Sequence, residues 1–291
     1  MDAPAIVAHR AGPTNQGPAA VAWAGTPIEV LSPQQALLTL EARDVALARL
    51  GVGEDLAGVE DGLSPLERLA EAGVRVRNPP AALLRAHDKL LTARALRAAG
   101  LPHPRTKLIE RGAELPDLDF PVVLKPRFGS WGRDVALCQD RDELAQALHG
   151  LDARPWFRAG GAIAQELIPP LGYDLRLIVA AGTVVGAGRR TAAPGERRTN
   201  VALGATVAPV SPAPVAVRLA LEAAAASGLD LVGVDLLPTG PGGFCVLELN
   251  GAVDFRPVYA FGAGDAYADA AAALAGISAS REPARLAGVH A

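Results

Sequence analysis

The sequence is poor in lysine, cysteine, aromatic residues and long apolar runs. Only three of its 28 basic residues are lysine, two of its 291 residues are cysteine, and 4% are aromatic. Because it contains no run of about 18 apolar residues, we expect no membrane-spanning helix. Cys138 and Cys245 lie far apart, each in an apolar segment. We interpret them as buried thiols rather than a disulfide or a metal pair, which suits a reducing cytoplasm.

The charge balance argues against a nucleic-acid partner. The formal net charge is −3 and the pI is about 6.0, whereas proteins that bind polyanions usually carry an excess of positive charge. The one arginine-rich loop, "GRRTAAPGERRTN", has no interleaved aromatic residues. The N-terminus lacks the basic start and long apolar core of a signal peptide. We therefore predict a cytoplasmic protein with no membrane or nucleic-acid partner.

The scarcity of lysine gives weight to the few that occur. The three lysines are Lys89, Lys107 and Lys125. In a chain so rich in arginine, a lysine can mark a position where a planar guanidinium does not replace a compact ammonium. This pattern draws attention to Lys89 and Lys125 before any motif is considered.

Two kinds of organisation follow each other along the chain. Residues 1–84 alternate short strands and helices, which predicts a small, largely parallel α/β sheet. One of these helices is expected to have Ser64 as its N-cap, Pro65 at its first position and Gly73 just past its end. Residues 85–275 indicate antiparallel sheets with helices, an α+β arrangement, and residues 276–291 form a tail. The fold class is thus α/β followed by α+β.

The segment "HDKLLTARALRAAG" predicts a helix with Lys89 in its first turn. The helix dipole disfavours a cation at this end. The position becomes favourable when an anion is shared between the lysine and the free backbone N–H groups of that turn. A solvated surface lysine is the alternative interpretation.

The segment "FPVVLKPRFGSWGRDVALCQD" predicts a hairpin with a glycine-containing tip. Its lysine precedes the glycines and a strand follows them, so it is not a P-loop, in which the lysine follows the glycines and opens a helix. Gly129 and Gly132 let the backbone approach a ligand closely. Lys125, Ser130 and Arg133 add charge and hydrogen-bond donors beside them. We predict a lid over phosphate groups, with an ordinary glycine-turn hairpin as the alternative.

A second group combines carboxylates and an amide. Glu248 and Asn250 are two residues apart on a predicted strand, so their side chains share one face. If residues 238–243 form the turn, Asp235 of the preceding strand lies on the same face, diagonal to Glu248. Such oxygen donors suit Mg²⁺. A solvated sheet face is the alternative.

Two further segments carry candidate residues. In "AQELIPPLGYDLR", Glu166 and Leu167 end a strand before prolines, which leaves backbone groups unpaired. Asp174 and Arg176 share a face of the next strand, either as a ligand site or as a simple ion pair. In the arginine-rich loop, Arg190 lies at a strand end. We interpret the arginines of this loop as neutralising phosphate charge, with a solvated loop as the alternative.

Together these segments resemble the ATP-grasp superfamily, and within it the RimK-like and LysX-like amino-acid ligases. The resemblance covers residues 85–275 and rests on six motifs in order: "HDKLLTARALRAAGLPHPRT", "FPVVLKPRFGSWGRDV", "AQELIPPLGYDLRLIVAAGTVVGAGRR", "RTNVALGA", "GVDLL" and "LELNGAVDF". It implies an ATP-grasp fold with a central lid subdomain at about 100–168 and a C-terminal subdomain at about 169–275. Residues 1–84 resemble the preceding domain of such ligases more loosely.

The resemblance also implies roles for individual residues. Arg190 and Lys125 would be the catalytic residues. Asp235, Glu248 and Asn250 would hold two Mg²⁺ ions, or Mn²⁺ in their place. Lys89 and Lys125 would bind the phosphates of ATP, beneath a lid made of Gly129, Ser130, Trp131, Gly132 and Arg133. The backbone of Glu166 and Leu167 would bind adenine, and Asp174 would bind ribose. The remaining ATP-binding residues would be Arg176, Arg198, Thr199 and Asn200.

The implied reaction is ATP-dependent ligation of a carboxylate to an amine through an acyl phosphate. The amine would be an amino acid such as glutamate, as in RimK-like ligases, and a homodimer or homotetramer would be ordinary for such enzymes. Three alternatives stay open: a LysX-like ligase acting on the C-terminal glutamate of a carrier protein, a non-catalytic ATP-binding protein, and a kinase-like phosphotransferase. The lid is more LysX-like, whereas the segment after Asn250 is more RimK-like.

Overall fold

The computed structural model describes residues 5–8, 29–129, 131–254 and 256–274. Ser130, which is expected in the hairpin tip, and the expected tail 276–291 lie outside the described residues. Within these ranges, no helix is long and apolar enough to cross a membrane.

A four-stranded sheet with the order β2-β1-β3-β4 forms the first part of the fold. Every neighbouring pair in it is parallel, which confirms the predicted parallel sheet. Its elements are β1 (Ala5–Val7), β2 (Val30–Leu31), α1 (Pro33–Thr39), β3 (Val45–Ala48), α2 (Leu63–Glu71) and β4 (Arg75–Arg77).

Helix α2 begins two residues earlier than the sequence predicts, at Leu63 instead of Pro65. Its N-cap is Gly62, with φ of 141°, a conformation that glycine adopts without steric cost. Ser64 therefore lies inside the first turn and is not the N-cap. Gly73, with φ of 91°, follows the end of the helix as expected.

Two consecutive helices, α3 (Pro80–His87) and α4 (Lys89–Ala98), lead into the rest of the chain. The sequence pattern does not predict α3, and the domain boundary expected near residue 84 lies inside it. Asp88 separates the two helices. Its Oδ1 accepts hydrogen bonds from the backbone N–H groups of Leu90 at 3.0 Å and Leu91 at 3.3 Å, so it caps α4.

The second sheet is antiparallel, with the order β5-β8-β6-β7. The hairpin β6–β7 carries the predicted lid, and two helices pack on this sheet around a core that contains Trp156 and Phe157. The elements are β5 (Thr106–Ile109), β6 (Val122–Pro126), β7 (Ala136–Cys138), α5 (Arg141–Leu151), α6 (Pro155–Gly160) and β8 (Ala162–Glu166).

The third sheet has five antiparallel strands in the order β11-β10-β9-β12-β13. Apolar side chains such as Leu177 join one of its faces to α7. The elements are β9 (Tyr173–Ala180), β10 (Thr183–Thr191), a 3₁₀ turn (Val201–Leu203), β11 (Thr206–Pro209), α7 (Pro214–Ser227), β12 (Leu231–Gly240), β13 (Gly243–Asn250), a second 3₁₀ turn (Pro257–Tyr259) and α8 (Ala266–Leu274).

The register of β12 and β13 differs in detail from the expected one. Asp235 lies directly opposite Glu248 rather than diagonal to it, because the register shifts between Asp235 and Leu236. The strands also continue to Gly240 and resume at Gly243. The turn is therefore shorter than the expected 238–243.

Asn78 joins the first sheet to the third. This buried residue adopts φ of 56°, and its Nδ2 donates to the carbonyls of Ala48 at 3.3 Å, Leu231 at 2.9 Å and Gly251 at 3.1 Å. The largest apolar core likewise contains residues of both sheets. The first and third sheets are thus packed as one body, and the division at residue 84 stays a prediction.

Candidate active site between the two antiparallel sheets

A cleft of about 1050 Å³, open solvent at its mouth included, lies between the second and third sheets. Twelve of the predicted site residues line it: Lys89, Lys125, Gly129, Trp131, Gly132, Arg133, Glu166, Leu167, Arg198, Thr199, Asn200 and Glu248.

Lys89 brings three elements of the cleft together. It is the first residue of α4, and its Nζ lies 2.7 Å from the carbonyl oxygen of Gly129 in the hairpin. The same Nζ lies 2.6 Å from Oε1 of Glu248 on β13. The ammonium thus stands beside the positive end of a helix and is balanced by one carboxylate, an arrangement ready to receive an anion.

The base of the hairpin is fixed by a pair that the sequence motifs do not single out. Arg127 donates from Nε and Nη2 to the buried carboxylate of Asp88 at 2.6–2.9 Å. The backbone N–H of Lys89 also donates to the carbonyl of Arg127 at 3.1 Å. The signal for Asp88 is present in the sequence, because an aspartate directly before a helix is a common N-cap. Its arginine partner has no local signal.

Lys125 is a buried cation on β6, with 8% of its surface exposed. Burial lowers its pKa to about 8, since Glu248 favours the charged form only in part and Lys89 opposes it. Lys125 and Lys89 therefore come from different elements and act on the same carboxylate. Burial alone would raise the pKa of Glu248, but the two lysines outweigh it and lower that pKa.

A network of buried ion pairs covers one face of the third sheet. Arg176 donates to Asp235 at 2.7 and 2.8 Å, and Arg190 donates to Asp174 at 2.5 and 2.7 Å. Arg190 also reaches Asp235 at 2.8 Å. The Oγ1 of Thr199 donates to Asp174 at 2.5 Å. Burial would raise the pKa of Asp235, yet Arg176 and Arg190 together hold it well below its usual range.

This network changes the picture drawn from the sequence. Five expected site residues do not line the cleft: Asp174, Arg176, Arg190, Asp235 and Asn250. Asp174 in particular is fully buried and engaged by Arg190 and Thr199. Its expected contact with ribose is therefore not favoured by this geometry. The strand register is the cause, because it places Asp174 opposite Arg190.

The predicted metal ligands are adjacent but already engaged. Asp235 and Glu248 are direct cross-strand partners, and Oδ1 of Asn250 accepts from the N–H of Ala252 at 3.1 Å. In the part of the chain that the structure describes, no three side chains of His, Cys, Asp or Glu converge. The donor set thus consists of two carboxylates and one amide, all of them oxygen ligands that suit a hard cation.

The expected adenine contacts are only partly available. The backbone N–H of Glu166 donates to the carbonyl of Arg105 at 2.8 Å, which removes it as a donor to a ligand. The N–H of Leu167 makes a longer contact of 3.4 Å with the carbonyl of Pro121. Of these two N–H groups, that of Leu167 is the more accessible to a base edge.

The tip of the hairpin rests on the arginine-rich loop. Trp131 has φ of 58° and is 61% exposed at the cleft, and the guanidinium of Arg133 lies 5.1 Å from its ring. Arg198 donates to the carbonyl of Gly132 at 3.1 Å. Glu196 holds Arg198 in place, and this hydrogen bond lowers the pKa of Glu196 to about 2.

A family model for the RimK-like ATP-grasp domain matches residues 86–263, more than half of the chain. Beta-citrylglutamate synthase B of Homo sapiens is 31% identical over 206 residues, which are 67% of this chain and 52% of that protein. A probable alpha-L-glutamate ligase of Marinobacter nauticus (strain ATCC 700491 / DSM 11845 / VT8) is 32% identical over 220 residues, 72% of this chain and 69% of that protein. The chain thus spans about half the length of the first relative.

Solved structures of similar fold cover nearly the whole chain. A RimK domain protein ATP-grasp from Sphaerobacter thermophilus DSM 20745 superposes with a TM-score of 0.64 at 23% identity, over 95% of this chain and 99% of that one. The ATP-grasp ligase PsnB, complexed with minimal precursor, Mg and ADP, superposes with a TM-score of 0.65 at 21% identity, over 94% and 97% of the two chains. At these identities the likeness establishes the fold.

Proposed function

Because this chain belongs to the family of RimK-like ATP-grasp domains, we propose that it is an ATP- and Mg²⁺-dependent ligase that joins a carboxylate to the amine of an amino acid. The cleft between the second and third sheets is the ATP site. The names of its relatives, a probable glutamate ligase and beta-citrylglutamate synthase B, support glutamate as the first amino acid to test.

One observation carries this proposal. Two lysines from separate elements, Lys89 on α4 and Lys125 on β6, converge on Glu248 in a cleft roofed by a glycine-containing hairpin. Two cations against one carboxylate leave a local excess of positive charge, which favours phosphate groups. Protein interiors rarely keep such an excess without a ligand to balance it.

The donor set fits Mg²⁺. Lys89 contacts Oε1 of Glu248, and carboxylate oxygens have lone pairs for further ligands. Asp235, Glu248 and Asn250 would hold two Mg²⁺ ions, with Mn²⁺ as a substitute. Bound Mg²⁺ would neutralise charge on the phosphates of the nucleotide. Arg176 and Arg190 keep Asp235 ionised. Both of its carboxylate oxygens bond to these arginines, so metal binding at Asp235 would require one of these ion pairs to be exchanged for a metal contact.

The reaction has two steps. A carboxylate oxygen of the first substrate attacks the γ-phosphorus of ATP, the bond to the β–γ bridging oxygen breaks, and ADP leaves. The amine of the amino acid then attacks the acyl carbon, inorganic phosphate leaves with the original carboxylate oxygen, and the amine loses a proton. Lys125 and Lys89 position the transferred phosphoryl group, and Arg190 contributes positive charge from behind Asp235.

Closure of the hairpin protects the intermediate. An acyl phosphate exposed to water would be hydrolysed, and excluding water is a general function of active-site lids. Trp131 at the hairpin tip and Leu171, both of which line the cleft, are 61% and 53% exposed and supply apolar surface for this purpose. We also propose a cytoplasmic location, which the buried free thiols Cys138 and Cys245 support. For the oligomeric state we propose a homodimer or homotetramer, which light scattering tests directly.

The test is ATP-dependent trapping of the acyl phosphate. The protein is incubated with ATP, Mg²⁺, hydroxylamine and pooled carboxylates that include glutamate, and acyl-hydroxamate is measured. Formation of hydroxamate and ADP in equal amounts supports the ligase. Tight ATP binding without hydroxamate from any pool would contradict it and favour an ATP-binding protein. A screen of amino acids and peptides by mass spectrometry then identifies both substrates.

A further inference from the structure

The loop that follows β3 crosses from the first sheet to the second. It runs from Gly51 to Asp61 and is a small closed unit. Gly53 N–H donates to the carbonyl of Gly58 at 2.9 Å, and Glu60 N–H donates to that of Gly51 at 2.9 Å. Val52 and Val59 form an antiparallel bridge. These bonds hold the tip of the loop, around Leu56, in one conformation.

Leu56 is inserted into a core that belongs to the second sheet. It is only 5% exposed and packs in the cluster that contains Leu144, Trp156 and Phe157. Val52 and Ala57 pack against the same cluster, and every other described member lies between residues 109 and 164. Leu50, six residues earlier, is buried in the different core that joins the first and third sheets. The loop therefore links two cores.

The backbone at Leu56 is unfavourable for leucine. Its φ is 60°, a region that glycine or asparagine adopts with less strain than a bulky residue. Strained residues of this kind persist where the surrounding structure requires them, and they are found at functional positions. At this position the leucine side chain is what the structure requires, because a glycine would permit the same turn but would leave nothing inserted into the core of the second sheet.

The second core is connected to the hairpin over the cleft. Nε1 of Trp156, in that core, donates to Asp134 at 3.0 Å. The neighbouring Arg133 lines the cleft, lies over Trp131 and donates to the carbonyl of Glu54 at 3.3 Å. The loop Gly51–Asp61 thus meets the second sheet twice, through Leu56 in its core and through Glu54 at the tip of its lid.

We propose that Leu56 is a positioning residue that fixes the second sheet and its hairpin over the nucleotide cleft. The proposal rests on the proposed function, because the bound ligand is taken to be ATP. Without this anchor the second sheet stays attached through the segments at residues 98–106 and 166–173, through the Asp88–Arg127 pair and through the contacts of its hairpin with Lys89, Arg198 and Glu54. Its closed orientation is then less populated. Apparent nucleotide affinity falls in proportion to the closed population.

The test compares two leucines of the same core. Leu56→Ala removes the side chain that comes from the loop, and Leu144→Ala removes a fully buried leucine of α5. Both variants weaken the core, but only the first removes the insertion of the loop into it, and the hydrogen bond from Arg133 to Glu54 stays in both. The dissociation constant of a non-hydrolysable ATP analogue with Mg²⁺ is measured by calorimetry. We expect a roughly tenfold increase for Leu56→Ala and a change of less than about twofold for Leu144→Ala.

Two further variants separate positioning from a general loss of structure. Leu56→Met should restore the affinity of the wild type. Leu56→Gly relieves the positive φ and should match Leu56→Ala, which assigns the effect to the side chain. Wild-type affinity in Leu56→Ala, or an equal loss in Leu144→Ala, would overturn the proposal.

A measurement without nucleotide keeps this test separate from the proposed function. Small-angle X-ray scattering of the free proteins should give a larger radius of gyration for Leu56→Ala than for Leu144→Ala or the wild type. Equal radii would overturn the positioning role even if the protein proves to be a ligase. A larger radius in a protein that binds no ATP would support the anchor and contradict only the function.

Discussion

Two charged regions of the molecule are built in opposite ways. Around the cleft, Lys89 bonds to the carbonyl of Gly129 and to the partly exposed Glu248, contacts that a ligand can replace. On the adjoining sheet face, Arg190 is 5% exposed and bonded to Asp174 and Asp235 by short ion pairs. The first region has charge to share with a ligand, whereas the second has nearly balanced charge. The difference indicates that the cleft binds a ligand and that the buried network holds the side chains of the adjoining sheet face in their orientation.

The largest expected effect breaks the buried network. Arg190→Met leaves Asp174 and Asp235 buried with too little positive charge, so the free energy of unfolding should fall by about 3–5 kcal/mol. Urea unfolding measures it. Arg189→Met is the matched control, because Arg189 is exposed and stacks on Tyr173 at 3.9 Å; it should cost no more than about 1 kcal/mol. Equal losses would mean that the network does not stabilise the sheet.

The next effect concerns the cleft. Lys125→Met removes a buried ammonium expected to contact phosphate, so kcat for ATP turnover should fall by about 10²–10³-fold, as for loss of one preorganised donor. The free energy of unfolding should change by less than about 1 kcal/mol, because the substitution removes the cost of burying an ammonium together with its favourable contacts. Lys107→Met, on the exposed face of β5, is the control. Full activity in Lys125→Met would refute the assignment of this lysine.

The pH dependence of binding separates the regions further. Because the pKa of Lys125 is lowered to about 8, the residue is a cation below that pH and becomes neutral above it. Nucleotide affinity should be constant at lower pH and fall by up to about tenfold per pH unit above 8. Calorimetry at several pH values detects this, and the decline should disappear in Lys125→Met. A decline that persists in the variant would assign the titration to another group.

The smallest expected effect is at the rim. Trp131→Ala should raise KM for ATP by about two- to fivefold, the range of one exposed aromatic contact, and should raise the share of ATP hydrolysed without product. Stability should stay within about 0.5 kcal/mol, because the ring is 61% exposed. Trp131→Phe should retain the wild-type ratio of ligated product formed to ATP consumed. An unchanged ratio in Trp131→Ala would remove Trp131 from the exclusion of water.

The sequence predicts local features of this fold better than it predicts distant pairs. The parallel first sheet and the hairpin β6–β7 follow from periodicity and glycine positions. The lining of the cleft by Lys89, Lys125 and Glu248 follows from the motifs.

What the sequence does not predict depends on register and on contacts between distant segments. Asp174 is a plausible ribose ligand by its place in a motif, but the pairing of β9 with β10 sets it opposite Arg190. Asn78 bonds to the carbonyl of Gly251, 173 residues later. Arg127 bonds to Asp88, 39 residues earlier. No local pattern in the sequence indicates either pair. Leu56 is similar, because its core is formed by residues 109–164.

The central claim is that a substrate carboxylate attacks ATP directly, and transfer of ¹⁸O tests it best. Once the carboxylate substrate is identified by the hydroxamate screen, it is prepared with ¹⁸O in the carboxylate and converted with ATP and the amine. The account predicts that each phosphate released carries one ¹⁸O, seen as a shifted ³¹P resonance. Phosphate free of ¹⁸O, formed together with the amide, would contradict an acyl-phosphate ligase.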